Sequence, residues 1–311
     1  MHRNILSVTL NPSIDVTLWS DGLHPDKANR VLDEMREVGG KGINVSRVVH
    51  SFGQETLCLA VAGEDNCREF AGYLERESLR YEFIKIQGAV RENLTLRCAG
   101  QTIKLNRKGP ALSEMMIGAL MALIRSRIRP GDIVVFAGSL PENVSVRDYV
   151  ELILAVKNTG VLVAVDSDLL SLEDYRRVSP WLIKPNIHEL RHIVEVKGTT
   201  IDDVADAARV LRNSGVENVV VSLGGNGLVC VSGDRTIRVA VPQVEVKSTV
   251  GAGDSALAGF IVGFVKGHEL AECVRLAAAC GTACAMRDGT LLATKETAAA
   301  LLEKIDVREQ A

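Results

Sequence analysis

No Cys-x-x-Cys pair occurs in this chain, although it carries seven cysteines, at 58, 67, 98, 230, 273, 280 and 284. An odd, scattered set argues for small apolar side chains in a reducing compartment rather than a disulfide or zinc framework. No apolar run is long enough to span a bilayer. Met1-His2-Arg3-Asn4 leads straight into the strand-like Ile5–Leu10, so no signal peptide and a cytoplasmic location are expected. Excess charge is missing too: Lys plus Arg number 36 against 39 Asp plus Glu, a net −3 that supplies no field for nucleic acid or an anionic membrane. The P-loop pattern Gly-x-x-x-x-Gly-Lys-[Ser/Thr] is absent. No Gly-x-Gly-x-x-Gly follows the first strand, which sets aside a nicotinamide-dependent oxidoreductase. Linkers, repeats and low-complexity tracts are lacking as well, so residues 1–311 are expected to form one domain.

What remains is a chain with the composition of a soluble globular protein, 47% hydrophobic and 24% charged. Apolar, β-rich runs at 5–10, 56–61, 132–136, 161–165 and 217–223 alternate with helical patterns at 42–52, 114–125, 146–157 and 200–213. That rhythm predicts an α/β fold with a largely parallel sheet covered on both faces. After residue 254 the pattern turns helical, at 270–286 and 294–304. Residues 12–37 and 81–107 break the rhythm with strand-like alternation and a hairpin signal at Ala99-Gly100-Gln101. They predict either a small β-sheet lid over the ligand edge of the core or further strands of the core itself.

The most informative run is Ser248-Thr249-Val250-Gly251-Ala252-Gly253-Asp254-Ser255, which leads into an apolar helix. Small residues in a first helical turn leave N–H groups and the positive dipole end open to an anion. Asp254 stands in that turn, where a base would deprotonate an alcohol as a phosphoryl group is delivered. A second run, Gly39-Gly40-Lys41-Gly42-Ile43-Asn44, puts three glycines before a helix, and Asn44 offers a donor and an acceptor to a sugar hydroxyl. Taken alone, this second run also reads as a tight turn with a helix cap.

Together the two runs resemble the signatures of the ribokinase-like carbohydrate kinases of the phosphofructokinase B family. Four further runs are similar to that family in order and spacing: those starting at Thr9, Gly138, Lys184 and Ser222. The resemblance implies a three-layer α/β/α sandwich with a β-sheet lid, and a kinase using ATP and Mg2+ on a phosphorylated ketohexose. It gives Asp254 the role of base, with the turn formed by Gly251, Ala252 and Gly253 holding the developing charge. It places Asp15, Gly39, Gly40, Lys41 and Asn44 on the sugar, with Ser139 beside them. Arg91 would hold the phosphate the substrate already carries, its forked donors suiting that task. Lys27 reads equally as a second cation for it or as solvated charge. On the nucleotide side the resemblance implies Lys184, Asn186, Ser222, Gly224, Gly225 and Gly227, with Glu189 and Asp166 near Mg2+, partly through water. Asn186 and Glu189 also have the spacing of a helix cap and its box partner, and Gly224–Gly227 that of a hairpin turn.

His188-Glu189-Leu190-Arg191-His192 matches a zinc-binding pattern, but no evident third ligand follows, and the resemblance uses Glu189 elsewhere. The chain departs from the family at Asp166-Ser167-Asp168-Leu169, where a Ser-Gly pair is usual. The wording of the two glycine runs is most similar to the family's fructose 1-phosphate kinases, with kinases of tagatose 6-phosphate and fructose 6-phosphate as alternatives. A non-catalytic sugar-phosphate sensor is a further reading, against which the intact Asp254 argues. Apolar lid strands, with Val16, Leu18, Leu94 and Leu96, suggest a homodimer through the lid.

Overall fold

Successive side chains of Ile5–Thr9 (β1) point into two separate cores. Ile5 joins a cluster with Leu257 and Phe260, whereas Leu6 and Val8 join one with Phe136 and Tyr149. A strand apolar on both faces requires helices on both faces, and the chain supplies them. The first cluster is covered by the helices Lys41–Ser51, Ala252–Val265, Leu270–Ala285 and Lys295–Leu302. The second is covered by Glu114–Arg127, Val146–Lys157, Leu172–Val178 and Ile201–Asn213. This computed structural model, which describes residues 3–310, is thus the three-layer sandwich that the sequence predicts.

Along the chain the other strands are Ser13–Ser20 (β2), Asp33–Gly39 (β3), Thr56–Gly63 (β4), Arg80–Ile86 (β5), Arg91–Cys98 (β6) and Gln101–Asn106 (β7). They continue with Ile133–Ala137 (β8), Leu162–Asp166 (β9), Leu182–Ile183 (β10), Asn218–Ser222 (β11), Leu228–Ser232 (β12), Arg235–Ala240 (β13) and Asp306–Gln310 (β14). The large sheet runs β14-β13-β12-β11-β10-β9-β8-β1-β4-β5. It is parallel from β11 to β5, and β12, β13 and β14 add an antiparallel edge. β1 lies between β4 and β8, so the strand order reverses there and opens a crevice at the carboxyl ends, the usual ligand position in open α/β sheets.

A separate four-stranded sheet runs β3-β2-β6-β7. Its Ile14, Val16 and Val38 pack on Phe70, Tyr73 and Leu74, so the helix Cys67–Arg76 ties this small sheet to the body. One boundary needs correction. Within 81–107, only β6 and β7 belong to the small sheet, because Arg80–Ile86 pairs in parallel with β4 as an edge of the large one. Its alternation is that of a half-covered edge strand, which local pattern does not distinguish from a lid strand. The C-terminal strand β14, which closes the opposite edge, follows the predicted helices without a sequence signal of its own.

Candidate active site

The helix Ala252–Val265 begins at Gly251, whose φ of 75° is left-handed. A Cβ there would also push the Leu292 side chain aside, but it is the left-handed φ that calls for glycine. Among the described residues, no protein acceptor takes the N–H groups of Gly253 and Asp254. Two donors and the positive helix end therefore face the crevice, as an anion needs. Asp254 stands among them, buried, and accepts Nδ2–H of Asn44 at 2.8 Å. Burial, with repulsion from Asp166, pushes its carboxyl up to about 6, against the Asn44 hydrogen bond and the attraction of Lys41 and Lys184.

Asp166 ends β9, and it sits between two ammonium groups. Lys41 Nζ lies 3.1 Å from Oδ1 and Lys184 Nζ 3.8 Å from Oδ2. Burial alone would raise this carboxyl, but the two lysines, Lys184 foremost, hold it below the ordinary range. Lys41 is kept protonated in turn: burial opposes its charge, and Asp166, Asp254 and Glu189 outweigh that cost. Lys184 is reached because residue 253 is glycine, where a Cβ would lie 2.9 Å from Nζ. Asn186 Oδ1 accepts from the N–H groups of His188 and Glu189, and Glu189 Oε2 accepts from the Asn186 N–H. This capping box starts the helix Ile187–Ile193 and leaves Glu189 Oε1 4.0 Å from Lys41 Nζ. His188 and His192 are exposed on that helix.

The small sheet brings the sugar-side residues to the same crevice. Asp15 Oδ1 accepts from Ser13 Oγ at 2.8 Å and from Asn93 Nδ2 at 3.0 Å. Gly39 lies so close to Asp15 that any side chain there would overlap the carboxylate. Gly40, with φ 122°, packs against Thr9 and Pro12. Arg91 donates Nη2–H to Ser139 Oγ at 3.2 Å, joining the small sheet to the loop after β8. Burial holds the Arg91 guanidinium below its usual value, with the Asp15 charge opposing. Lys27 is exposed between β2 and β3, and its ammonium joins no ion pair or hydrogen bond among the described residues. Ser222 closes β11 beside Asn186, followed by the exposed turn Gly224–Asn226. Gly227 there passes Val239 so closely that a Cβ would strike its carbonyl oxygen.

Asn11 and Asn93 were given no role by the sequence. Asn11 donates Nδ2–H to the Leu140 carbonyl at 3.1 Å and to Ser139 Oγ at 3.4 Å, and its Oδ1 is buried without a partner among the described residues. Asn93 could have been found as the residue two beyond Arg91 on an alternating strand, hence on the same face.

A buried carboxylate in a helical turn with two unpaired N–H donors, next to a lysine-paired aspartate at the crevice of an open α/β sheet, has the make-up of a phosphoryl-transfer site. The chain belongs to the pfkB family of carbohydrate kinases, whose model matches residues 5–297. As a member it is a kinase that transfers phosphate to a sugar hydroxyl, with ATP as co-substrate. It is 31% identical over 303 residues to the 1-phosphofructokinase of Bacillus subtilis, covering 97% of this chain and 99% of that one. The tagatose-6-phosphate kinase of Staphylococcus epidermidis is 30% identical over 289 residues, 92% of this chain and 93% of its own. The crystal structure of phosphofructokinase-2 from Escherichia coli in complex with fructose-6-phosphate superposes with a TM-score of 0.88 at 30% identity, covering 98% and 99% of the two chains.

Proposed function

We propose that this kinase phosphorylates fructose 1-phosphate to fructose 1,6-bisphosphate, with Asp254 as the base. The base rests on Asp254 itself, its carboxyl raised by burial in a turn with two free N–H donors, and the choice of fructose 1-phosphate rests on the similarity to 1-phosphofructokinases. Its Oδ2 is taken by Asn44, which leaves Oδ1 to receive the acceptor hydroxyl proton. The alcohol oxygen then forms a bond to the γ-phosphorus as the bond to the β-phosphate oxygen breaks, and ADP leaves. The N–H groups of Gly253 and Asp254, with Lys41 and Lys184, stabilise the charge that develops; one such donor is worth on the order of 10²–10³ in rate. Ala252 N–H contributes less, because it already leans on the Thr249 carbonyl at 3.4 Å.

Asp15 and Asn44, over the floor of Gly39 and Gly40, orient the sugar. Arg91 and Ser139 hold its phosphate, and Lys27 joins them only if its exposed loop folds inward. On the nucleotide side, Asn186, Ser222, Gly224, Gly225 and Gly227 line the approach of the ATP phosphates. Asp166 and Glu189 are hard oxygen donors already facing the Lys41 and Lys184 ammonium groups, so they would hold Mg2+ through water rather than directly, and the ion would neutralise phosphate charge. Lys41 stands nearer these carboxylates than the sugar side, so we assign it to the transferring phosphoryl group.

The small sheet acts as a lid that keeps water from the phosphoryl group. Beyond the Ile14, Val16, Leu18 and Leu94 side chains that pack on the body, the same face of this sheet carries Leu96, Ile103 and Leu105, with Leu105 57% exposed. We assign this face to a homodimer interface, since a second copy would cover it.

The test is a coupled ADP-release assay on fructose 1-phosphate, fructose 6-phosphate and tagatose 6-phosphate with MgATP. The highest kcat/KM is expected for fructose 1-phosphate. A clear preference for tagatose 6-phosphate would select the second reading, which the similar identity to both kinds of relative supports. No ADP release with any of the three would overturn a ketohexose phosphate as the acceptor.

A further inference from the structure

We propose that Asn93 reads the configuration of the sugar, accepting a hydrogen bond from a ring hydroxyl through an oxygen whose direction Asp15 fixes. The inference rests on the ketohexose phosphate reading above. Asn93 lies on β6 directly opposite Asp15 on β2, and two residues from Arg91 on the same face. Its Nδ2 donates to Asp15 Oδ1 at 3.0 Å. A carboxylate oxygen accepts and cannot donate, so the amide has one orientation, with Oδ1 turned away from Asp15. That Oδ1 is closed to solvent and has no partner among the described residues.

A buried acceptor left empty is costly, and a ligand that supplies a donor removes the cost. The ligand beside Asp15 is a polyol, whose hydroxyls donate. Arg91 and Ser139 fix one end of the substrate by its phosphate, and Asp254 fixes the other by the acceptor hydroxyl. Only the ring hydroxyls between them remain for Asn93. An epimer that turns the matching hydroxyl away would leave Oδ1 unpaired, and the site would reject it. A rigid acceptor of this kind discriminates far better than an apolar wall of the same shape.

The test compares the wild type with Asn93→Leu, which keeps the side-chain volume and removes both polar atoms. Substrates are fructose 1-phosphate, its C3 and C4 epimers, and the corresponding 6-phosphates, each with saturating MgATP. The wild type should prefer fructose 1-phosphate over one of the two epimers by roughly 10- to 100-fold in kcat/KM, and Asn93→Leu should reduce that ratio to about 3-fold or less. Ser13→Ala removes the other donor to Asp15 Oδ1 and should leave the epimer ratio in place; a ratio that collapses equally in Ser13→Ala, or that does not move in Asn93→Leu, overturns the proposal. Should Asn93→Leu fail to fold, 3-deoxy and 4-deoxy substrates with the wild type ask the same question. One of them must lose about 10-fold or more, and equal turnover of both with the parent sugar overturns the proposal. A wild type inactive on all these sugars overturns the ketohexose phosphate reading instead.

Discussion

Asn44 and Asp254 lie 210 residues apart in sequence, yet the amide of one donates to the carboxylate of the other at 2.8 Å. The contact joins the first turns of two helices that pack on the same face of the sheet. It places the residue expected to touch the sugar against the residue expected to take the sugar's proton.

The kcat/KM profile follows from this pair. Asp254 accepts a proton only when ionised, so activity should fall on the acid side with a midpoint near pH 6, where burial has put its carboxyl. Asn44→Leu removes a hydrogen bond to the charged form, so the acid limb should move to higher pH. A limb that stays in place in this variant would disconnect the two residues. Initial rates between pH 4.5 and 8.5 give the answer.

Asp254→Asn separates activity from stability. Loss of the base should lower kcat by about 10²–10⁴ while leaving sugar phosphate binding largely intact, as calorimetry would register. Stability should change in the opposite sense. The folded carboxyl is raised above its unfolded value of 3.8, so its contribution is full below about pH 4 and is lost as pH rises through about 6. At neutral pH the ionised, buried group is a net cost on the order of 2–3 kcal/mol. The variant should therefore melt higher than the wild type at pH 8, and the difference should vanish toward pH 4.

Arg91→Ala should raise KM for a sugar phosphate by about 10-fold or more and leave the ATP dependence nearly unchanged, since guanidinium–phosphate pairs are charge-assisted. An equal effect on an unphosphorylated sugar would remove Arg91 from the phosphate. The Ser139 contact makes Ser139→Ala a milder version of the same change.

The apolar lid face predicts a dimer in solution. Leu105→Glu adds a charge to the most exposed leucine of that face, on the edge strand β7, and should shift the mass measured by light scattering toward the monomer. A monomeric wild type at micromolar concentration would remove the interface.

Much of the fold was legible because its elements are local and strongly patterned. The strand near residue 5, the helix at 114–127 and the two glycine turns carry their own punctuation, and each forms where expected. Arg80–Ile86 was not legible as part of the large sheet, because a half-covered edge strand and a lid strand alternate alike. Asn93 was passed over for a similar reason. Its spacing from Arg91 gives the face, but only the pairing of β6 with β2 puts Asp15 across from it.

By itself, the sequence determined which residues can bend and which can ionise. Gly251 permits a left-handed start to a helix, and Asp254 follows it wherever the helix goes. The tertiary structure decided what those groups feel. Asp254 and Asp166 are both buried aspartates, yet one is pushed up and the other held down. Both feel the ammonium groups of Lys41 and Lys184, but these lie against Asp166, at 3.1 and 3.8 Å, where the crevice brings the three segments together.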